Sequence, residues 1–234
     1  MAVESTAMKI LAIETSCEQA SVSLLLDGAI LSRELQGHAN HSERLLPTVS
    51  ELLAEGGVAV NALDALAFGA GPGAFTGLRL ACGVAQGLAM GAGVGVLPVS
   101  TLAALALQAN HPTVLTLTDA RMGEIYAAGY RLEGGEPREV IAPCCVLPEA
   151  FSIAGEWHVV GSALQAYPQL MPEGAAGVLG RVPTMVPRAR EIAALAAVSA
   201  ARGECVPPEK AAPLYVRNKV ALTTAERMAR GGRA

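Results

Sequence analysis

The chain has 234 residues and a formal net charge of −4, a balance that argues against a general nucleic-acid binder, because phosphate recognition draws on clustered Lys and Arg. Its length allows one large unit or two closely joined lobes. Hydrophobic residues make up 52% and aromatic residues 3%, so a sizeable core must be assembled mainly from Ala, Val and Leu, with backbones packed close.

Residues 1–7 carry Glu4 and lack the basic and apolar blocks of a signal peptide, which predicts a flexible extension. Strands are predicted at Lys9 to Ile13, Ala20 to Leu26 and Ala29 to Leu35. The last two flank Asp27-Gly28, the strongest short-range signal for a hairpin. A helix over His41 to Ala54 follows, with Leu45, Val49, Leu52 and Leu53 at the spacing of one buried stripe. Pro47 sits in its first turn or kinks it. Asp64 to Gly69 reads as a strand, Thr76 to Met90 as a helix, Val94 to Val99 as a strand and Thr101 to Gln108 as a helix. Three antiparallel strands followed by alternating helix and strand predict a mixed sheet with helices on its faces. The stretch between Arg79 and Asp119 contains no Asp, Glu, Lys or Arg and is long enough to cross a bilayer. Gly91, Gly93, Gly95 and Pro98 interrupt it, and its patterning switches from helical to extended, so a buried helix, strand and helix are expected and no membrane span.

A second lobe is expected to start near Pro112, giving lobes over 8–111 and 112–212 and a C-terminal segment and tail over 213–234. Thr113 to Thr118 and Glu124 to Arg131 read as a hairpin, further extended pieces lie near Glu139 and Val159, and Arg188 to Arg202 is an Ala-rich helix. Leu214 to Arg217 reads as strand-like. From Lys210 onward there are six basic residues and one acidic, a net charge of +5 that leaves −9 for the rest. Such a tail is usually solvated, yet it is the best candidate here for contact with an RNA backbone.

The cysteines, Cys17, Cys82, Cys144, Cys145 and Cys205, are odd in number and form no C-x-x-C pair. Reduced cytosolic thiols are expected, with neither a disulfide framework nor a zinc knuckle. His38 and His41 are three apart and could share a helical face, but no H-E-x-x-H is present, and His111 and His158 fall in unrelated segments. Gly161-Ser162 lacks the second glycine of G-x-S-x-G. No catalytic constellation is visible.

Gly71-Pro72-Gly73-Ala74-Phe75-Thr76-Gly77-Leu78-Arg79 follows a predicted strand and enters a helix. Glycines there allow tight turns and close backbone approach. Thr76 is the expected N-cap, and a helix start can hold an anion. The spacing fits neither G-x-G-x-x-G nor a Gly-Lys-Ser/Thr loop. Arg79 opposes the helix dipole there, so it either points away into solvent or meets an acidic partner. Gly83, Gly87 and Gly91, four apart along that helix, lay a flat strip on one face. Each costs about 1 kcal/mol relative to Ala in a helix interior, which asks for close approach by another backbone, of this chain or of a partner.

The opening strand, the hairpin and the turn Ile13-Glu14-Thr15-Ser16 resemble the first unit of the actin, hexokinase and Hsp70-like (ASKHA) fold, a two-lobed α/β fold with mixed sheets flanked by helices. In kinases of that class, acids such as Glu14, Asp119 and Glu124, together with Arg121, would position magnesium and phosphate. The alternative, favoured here, is ion pairs and turn caps.

Five segments together resemble the TsaB family. They are MKILAIETS (8–16), HSERLLP (41–47), GPGAFTGLR (71–79), DARMGEIY (119–126) and PLYVR (213–217), in the family's order along nearly the whole chain. The resemblance implies a cytoplasmic, non-catalytic subunit of the bacterial machinery that makes threonylcarbamoyladenosine in tRNA. Such a subunit pairs with the catalytic TsaD, works with the ATPase TsaE, reaches tRNA through the complex, and carries no catalytic, cofactor or metal residue of its own. It also implies association through the first two helices, here drawing on Leu45, Val49, Arg79, Gly83 and Gly87, and a homodimer when TsaD is absent. Ile13-Glu14-Thr15-Ser16-Cys17-Glu18 looks more like the start of TsaD. However, the TsaD metal motif H-x-x-x-H would fall on Thr101 and Leu105, and leucine cannot ligate a metal. An ATP-dependent phosphotransferase of the same fold and a metallopeptidase-like protein are the alternatives.

Overall fold

The computed structural model describes residues 8–35 and 41–217. The first sheet is built on β1 (Lys9–Glu14), whose side chains are buried on both faces from Ile10 onward. It pairs antiparallel with β2 (Ser21–Leu26), which pairs with β3 (Ala29–Glu34). Asp27 and Gly28 both take positive φ, 50° and 90°, the backbone a two-residue hairpin needs to match strand twist. On the other side β1 runs parallel to β4 (Ala65–Gly71), and β4 to β5 (Gly95–Ser100), giving the order β3-β2-β1-β4-β5.

Alternation along these strands creates two apolar faces. Leu11, Ile13, Leu66 and Phe68 pack against α1 (His41–Glu55) and α2 (Phe75–Ala92) through Leu45, Val49, Leu52, Ala81 and Ala85. Ile10, Ala12, Ala65, Ala67 and Leu97 face Ala189, Ile192, Ala193 and Ala196 of α5 (Ala189–Ala201). α5, which lies within 112–212, therefore covers the first sheet. Alanine on both sides of that contact is what lets the helix lie close. Pro47 lies in the second turn of α1 without ending the helix.

The second sheet has the order β10-β9-β6-β7-β8, from β6 (Thr113–Arg121), β7 (Glu124–Glu133), β8 (Glu136–Val146), β9 (Trp157–Val160) and β10 (Val178–Val182). Val114, Tyr126, Ala128 and Tyr130 on one face pack on Leu102, Leu105 and Ala106 of α3 (Thr101–Ala109). Since Ala104 of the same helix packs with the first sheet, α3 is shared between the lobes. The other face, with Leu115, Leu117, Ile125 and Ala127, is covered by Trp157, Leu170 and α4 (Ala163–Ala166).

Two sequence expectations change here. β10 was not anticipated. Leu214 to Arg217 is not a strand but an irregular segment, tied to the first sheet by Leu214 N–H donating to the Ala70 carbonyl at 2.7 Å. Among the described residues no helix is long and apolar enough to cross a membrane.

Candidate functional site

The turn after β1 and the glycine-rich entry to α2 are pressed together, and the glycines are what permits it. A Cβ on Gly77 would lie 1.8 Å from the Thr15 carbonyl oxygen, and one on Gly73 2.6 Å from the Ser16 Cβ. Thr15 Oγ1 donates to the Gly77 carbonyl at 2.7 Å, and Ala74 N–H donates to the Ser16 carbonyl at 2.8 Å. The helix starts at Phe75 with Ala74 as its N-cap and no side-chain cap, so Thr76 is not the cap.

Beneath this contact Glu14 is fully buried. It accepts from Ser16 N–H and, at 3.4 Å, from Thr101 Oγ1, which itself accepts from Gly71 N–H at 3.1 Å. A Cβ on Gly69 would fall 1.9 Å from Glu14 Oε2. Burial lifts this carboxyl above its ordinary 4.5, and the Ser16 and Thr101 hydrogen bonds offset part of the rise. The native state then holds the proton more tightly than the unfolded chain. The stability this contributes is full below the unfolded pKa and is lost as pH rises from there through the folded pKa. Glu14→Gln keeps an acceptor for Ser16 N–H and cannot ionise. Its melting temperature is therefore expected to gain on that of wild type as pH rises above 4.5, on top of a pH-independent offset from replacing the oxygen that accepts from Thr101 by an amide nitrogen. Thermal melts across the acid to neutral range check this, and a pH-independent difference would contradict it.

Above the turn lies a cleft of about 1000 Å³ between the lobes, lined by residues 15–19 and 72–78 on one side, by Thr118 to Arg121, Tyr126 and Ser162 on the other, and by Leu214 to Arg217 across one end. Asp119 accepts from Arg121 N–H at 2.8 Å and pairs with the Arg121 guanidinium at 3.3 Å. Arg121 and Met122 have positive φ, so the Asp119 carboxylate serves as a cap for a tight hairpin turn. Arg121 also reaches Glu18 of the other lobe at 2.6 Å, an exposed pair of small energetic weight. Glu124 pairs with Arg217 at 2.8 Å, and the same guanidinium donates to the carbonyls of Ala120 and Arg121. Asp119, Arg121 and Glu124 are thus engaged in ion pairs and a turn cap.

Of the hydroxyls lining the cleft, Thr15 donates to the Gly77 carbonyl and Thr101 to the Glu14 carboxylate, whereas Thr118 Oγ1 is buried without a hydrogen-bond partner among the described residues. Cys17 Sγ donates to the Gln19 carbonyl, and burial, with a lesser contribution from Glu14, pushes its thiol up to about 12, away from the thiolate form a nucleophile needs. Among the described residues no three His, Cys, Asp or Glu side chains converge in a metal-binding group. Thr101 is spent on Gly71 and Glu14, and Leu105 is buried in the core. His111 and His158, far apart in sequence, stack with centroids 3.5 Å apart, a proximity that periodicity could not reveal. His38, the other member of the pair weighed for zinc, lies outside the described residues, as do residues 218–234 of the basic tail.

The expected interface residues separate into two groups. Leu45 and Val49 are 0% and 2% exposed, inside the core under α1. They cannot touch a partner, because the stripe that faces the sheet is the stripe they form. Gly83, Gly87 and Gly91 are exposed, and a Cβ on any of them would meet nothing within 4 Å. Among the described residues nothing fills their close-approach surface. Leu46 on α1 and Met90 on α2 are also exposed, at 51% and 69%. Arg79 lies over the Phe75 ring and bonds Tyr215, aromatic neighbours for which composition gave no signal.

Comparison with known proteins places this geometry. Residues 35–223 match the family model described as TsaD, tRNA N6-adenosine threonylcarbamoyltransferase. The chain is 39% identical over 224 residues to the tRNA threonylcarbamoyladenosine biosynthesis protein TsaB of Escherichia coli K12, covering 92% of this chain and 96% of that protein. It is 35% identical to the TsaB protein of Haemophilus influenzae, covering 91% and 95%. Among solved structures, a Pseudomonas aeruginosa protein described as uncharacterized with similarity to peptidase YEAZ superposes with a TM-score of 0.83 at 39% identity, over 90% of this chain and 100% of that one.

Proposed function

This chain belongs to the TsaB family, within the wider group that the TsaD model describes, and from that premise we propose that it is the accessory subunit of a tRNA threonylcarbamoyl-transferring complex. The observation that carries the reading is its identity to TsaB proteins across 92% of its length. In this reading TsaD transfers the threonylcarbamoyl group to the adenosine next to the anticodon, the ATPase TsaE completes the cycle, and this cytoplasmic chain scaffolds TsaD without chemistry of its own. The engaged states of Asp119, Arg121 and Glu124 and the raised Cys17 thiol support a structural over a catalytic cleft.

The partner surface is the outer face of α1 and α2. Gly83 and Gly87 lie on it, Arg79 stands at its end, and Leu46 and Met90 take the place of the buried Leu45 and Val49. An unfilled glycine strip beside exposed aliphatic side chains suits close helix packing by another chain. The same face would form a homodimer in the absence of TsaD. Incubating this chain with tRNA and threonylcarbamoyl adenylate, without TsaD, is expected to give no modified tRNA. Product in that tube would overturn the non-catalytic assignment.

A further inference from the structure

Phe75 and Tyr215 line the mouth of the cleft, and Arg79 lies against both. Phe75 and Tyr215 are 49% and 51% exposed, with ring centroids 5.8 Å apart and planes tilted by 35°. The Arg79 guanidinium carbon sits 3.8 Å from the Phe75 centroid, and Arg79 Nε donates to the Tyr215 hydroxyl at 3.1 Å. A ring and a planar cation one turn apart on α2, with a second ring from the distant C-terminal segment, thus form one half-exposed π surface.

This surface is not explained by folding alone. The chain has three Phe and four Tyr, yet it leaves one of each together half in water, forgoing the burial that aromatics contribute best. Arg79 stands near the N-terminus of α2, where the helix dipole disfavours a cation. None of the ion pairs among the described residues includes it. The sequence continues two residues beyond Tyr215 into 218–234, which contains Lys219, Arg227, Arg230 and Arg233 against Glu226. Flat faces beside a guanidinium that enters no ion pair among the described residues match a nucleotide, whose base stacks and whose phosphate is anionic. An acidic peptide would use the charge and leave the rings idle.

We propose that Phe75, Arg79 and Tyr215 form a stacking platform for an unpaired RNA base, a proposal that rests on the reading of this chain as a tRNA-modification subunit. The full chain is titrated into two fluorescently labelled RNAs, a hairpin with an unpaired loop and a blunt duplex of equal length. Wild type is expected to prefer the hairpin. Phe75→Leu and Tyr215→Leu, which keep apolar bulk but lose the ring face, are each expected to weaken hairpin binding by about 5- to 100-fold. Duplex binding and the slope of log affinity against log salt should stay unchanged, since stacking releases no counterions. Arg79→Lys should lose affinity despite keeping its charge, because the guanidinium plane is gone. Deleting residues after Arg217 should instead flatten the salt slope for both RNAs.

Hairpin affinity unchanged in both leucine variants, equal loss on hairpin and duplex, or no hairpin binding by wild type overturns the platform. If Phe75→Leu fails to fold, Tyr215→Leu and Arg79→Lys carry the same test. Wild type that binds the hairpin through the platform yet leaves TsaD unaffected would sink the subunit reading alone. Wild type that supports TsaD while the variants bind hairpin normally would sink the platform alone.

Discussion

Gly77→Ala is expected to lower the unfolding free energy by about 3 kcal/mol, the upper part of the usual range for overpacking. The cause is a single contact. The added Cβ would lie 1.8 Å from the Thr15 carbonyl oxygen, a backbone atom at the end of the central strand that has no rotamer through which to yield. Relief requires the start of α2 to lift, which breaks the Thr15 to Gly77 and Ala74 to Ser16 hydrogen bonds together. The intrinsic helix preference for Ala over Gly, about 1 kcal/mol, works in the opposite direction and is too small to win. Gly83→Ala, in the same helix with nothing within 4 Å of its Cβ, reverses the sign and should stabilise by up to about 1 kcal/mol. Denaturant titrations of the two variants check the pair. A Gly77→Ala protein as stable as wild type would contradict the packing described.

Gly87→Arg is expected to abolish both binding to TsaD and self-association while the isolated chain stays folded and, at concentrations low enough that wild type is also monomeric, melts at or slightly above the wild-type temperature. In the free chain the position is exposed and a side chain meets open space, and Arg is a better helix former than Gly by roughly 1 kcal/mol. Across a close helix contact the same side chain would insert bulk and an uncompensated charge where another backbone must approach, a loss of about 100-fold or more in affinity. Leu45→Ala makes the opposite statement. It should cost about 2–5 kcal/mol of stability, because Leu45 is core, and any loss of partner binding would follow from unfolding. Gel filtration with TsaD and thermal melts separate the two cases, and normal TsaD binding by Gly87→Arg would move the interface elsewhere.

The contrast between Leu45 and Gly87 shows what was legible in the sequence. Period-3.6 spacing identifies residues that share a helix face, and it placed Leu45, Val49, Leu52 and Leu53 on one stripe, which is buried. It does not say which face meets a partner, and the family resemblance, which points to the two helices and not to a face, put buried Leu45 and Val49 together with exposed Gly83 and Gly87. The central strands were readable because β1 and β4 are apolar on both faces. β10 was not, since Val178–Val182 contains a glycine and is at most half-buried throughout. Contacts between distant segments left no local trace. The His111–His158 stack, the hold of Arg217 on the turn at Arg121, and the meeting of Phe75, Arg79 and Tyr215 all depend on topology that places residues some 50 to 140 positions apart side by side. The glycine-rich entry to α2 was legible as a place of close approach. That the approaching group is the Thr15–Ser16 backbone rather than a phosphate required the fold.

The most direct measurement is threonylcarbamoyl transfer to tRNA by TsaD and TsaE, with and without this chain. Modified tRNA should be scarce with TsaD and TsaE alone, rise steeply when the wild-type chain is added in stoichiometric amount, and stay at the lower level with Gly87→Arg. A rate that does not change when the wild-type chain is added, or transfer by the chain in the absence of TsaD, would contradict its assignment as an accessory subunit.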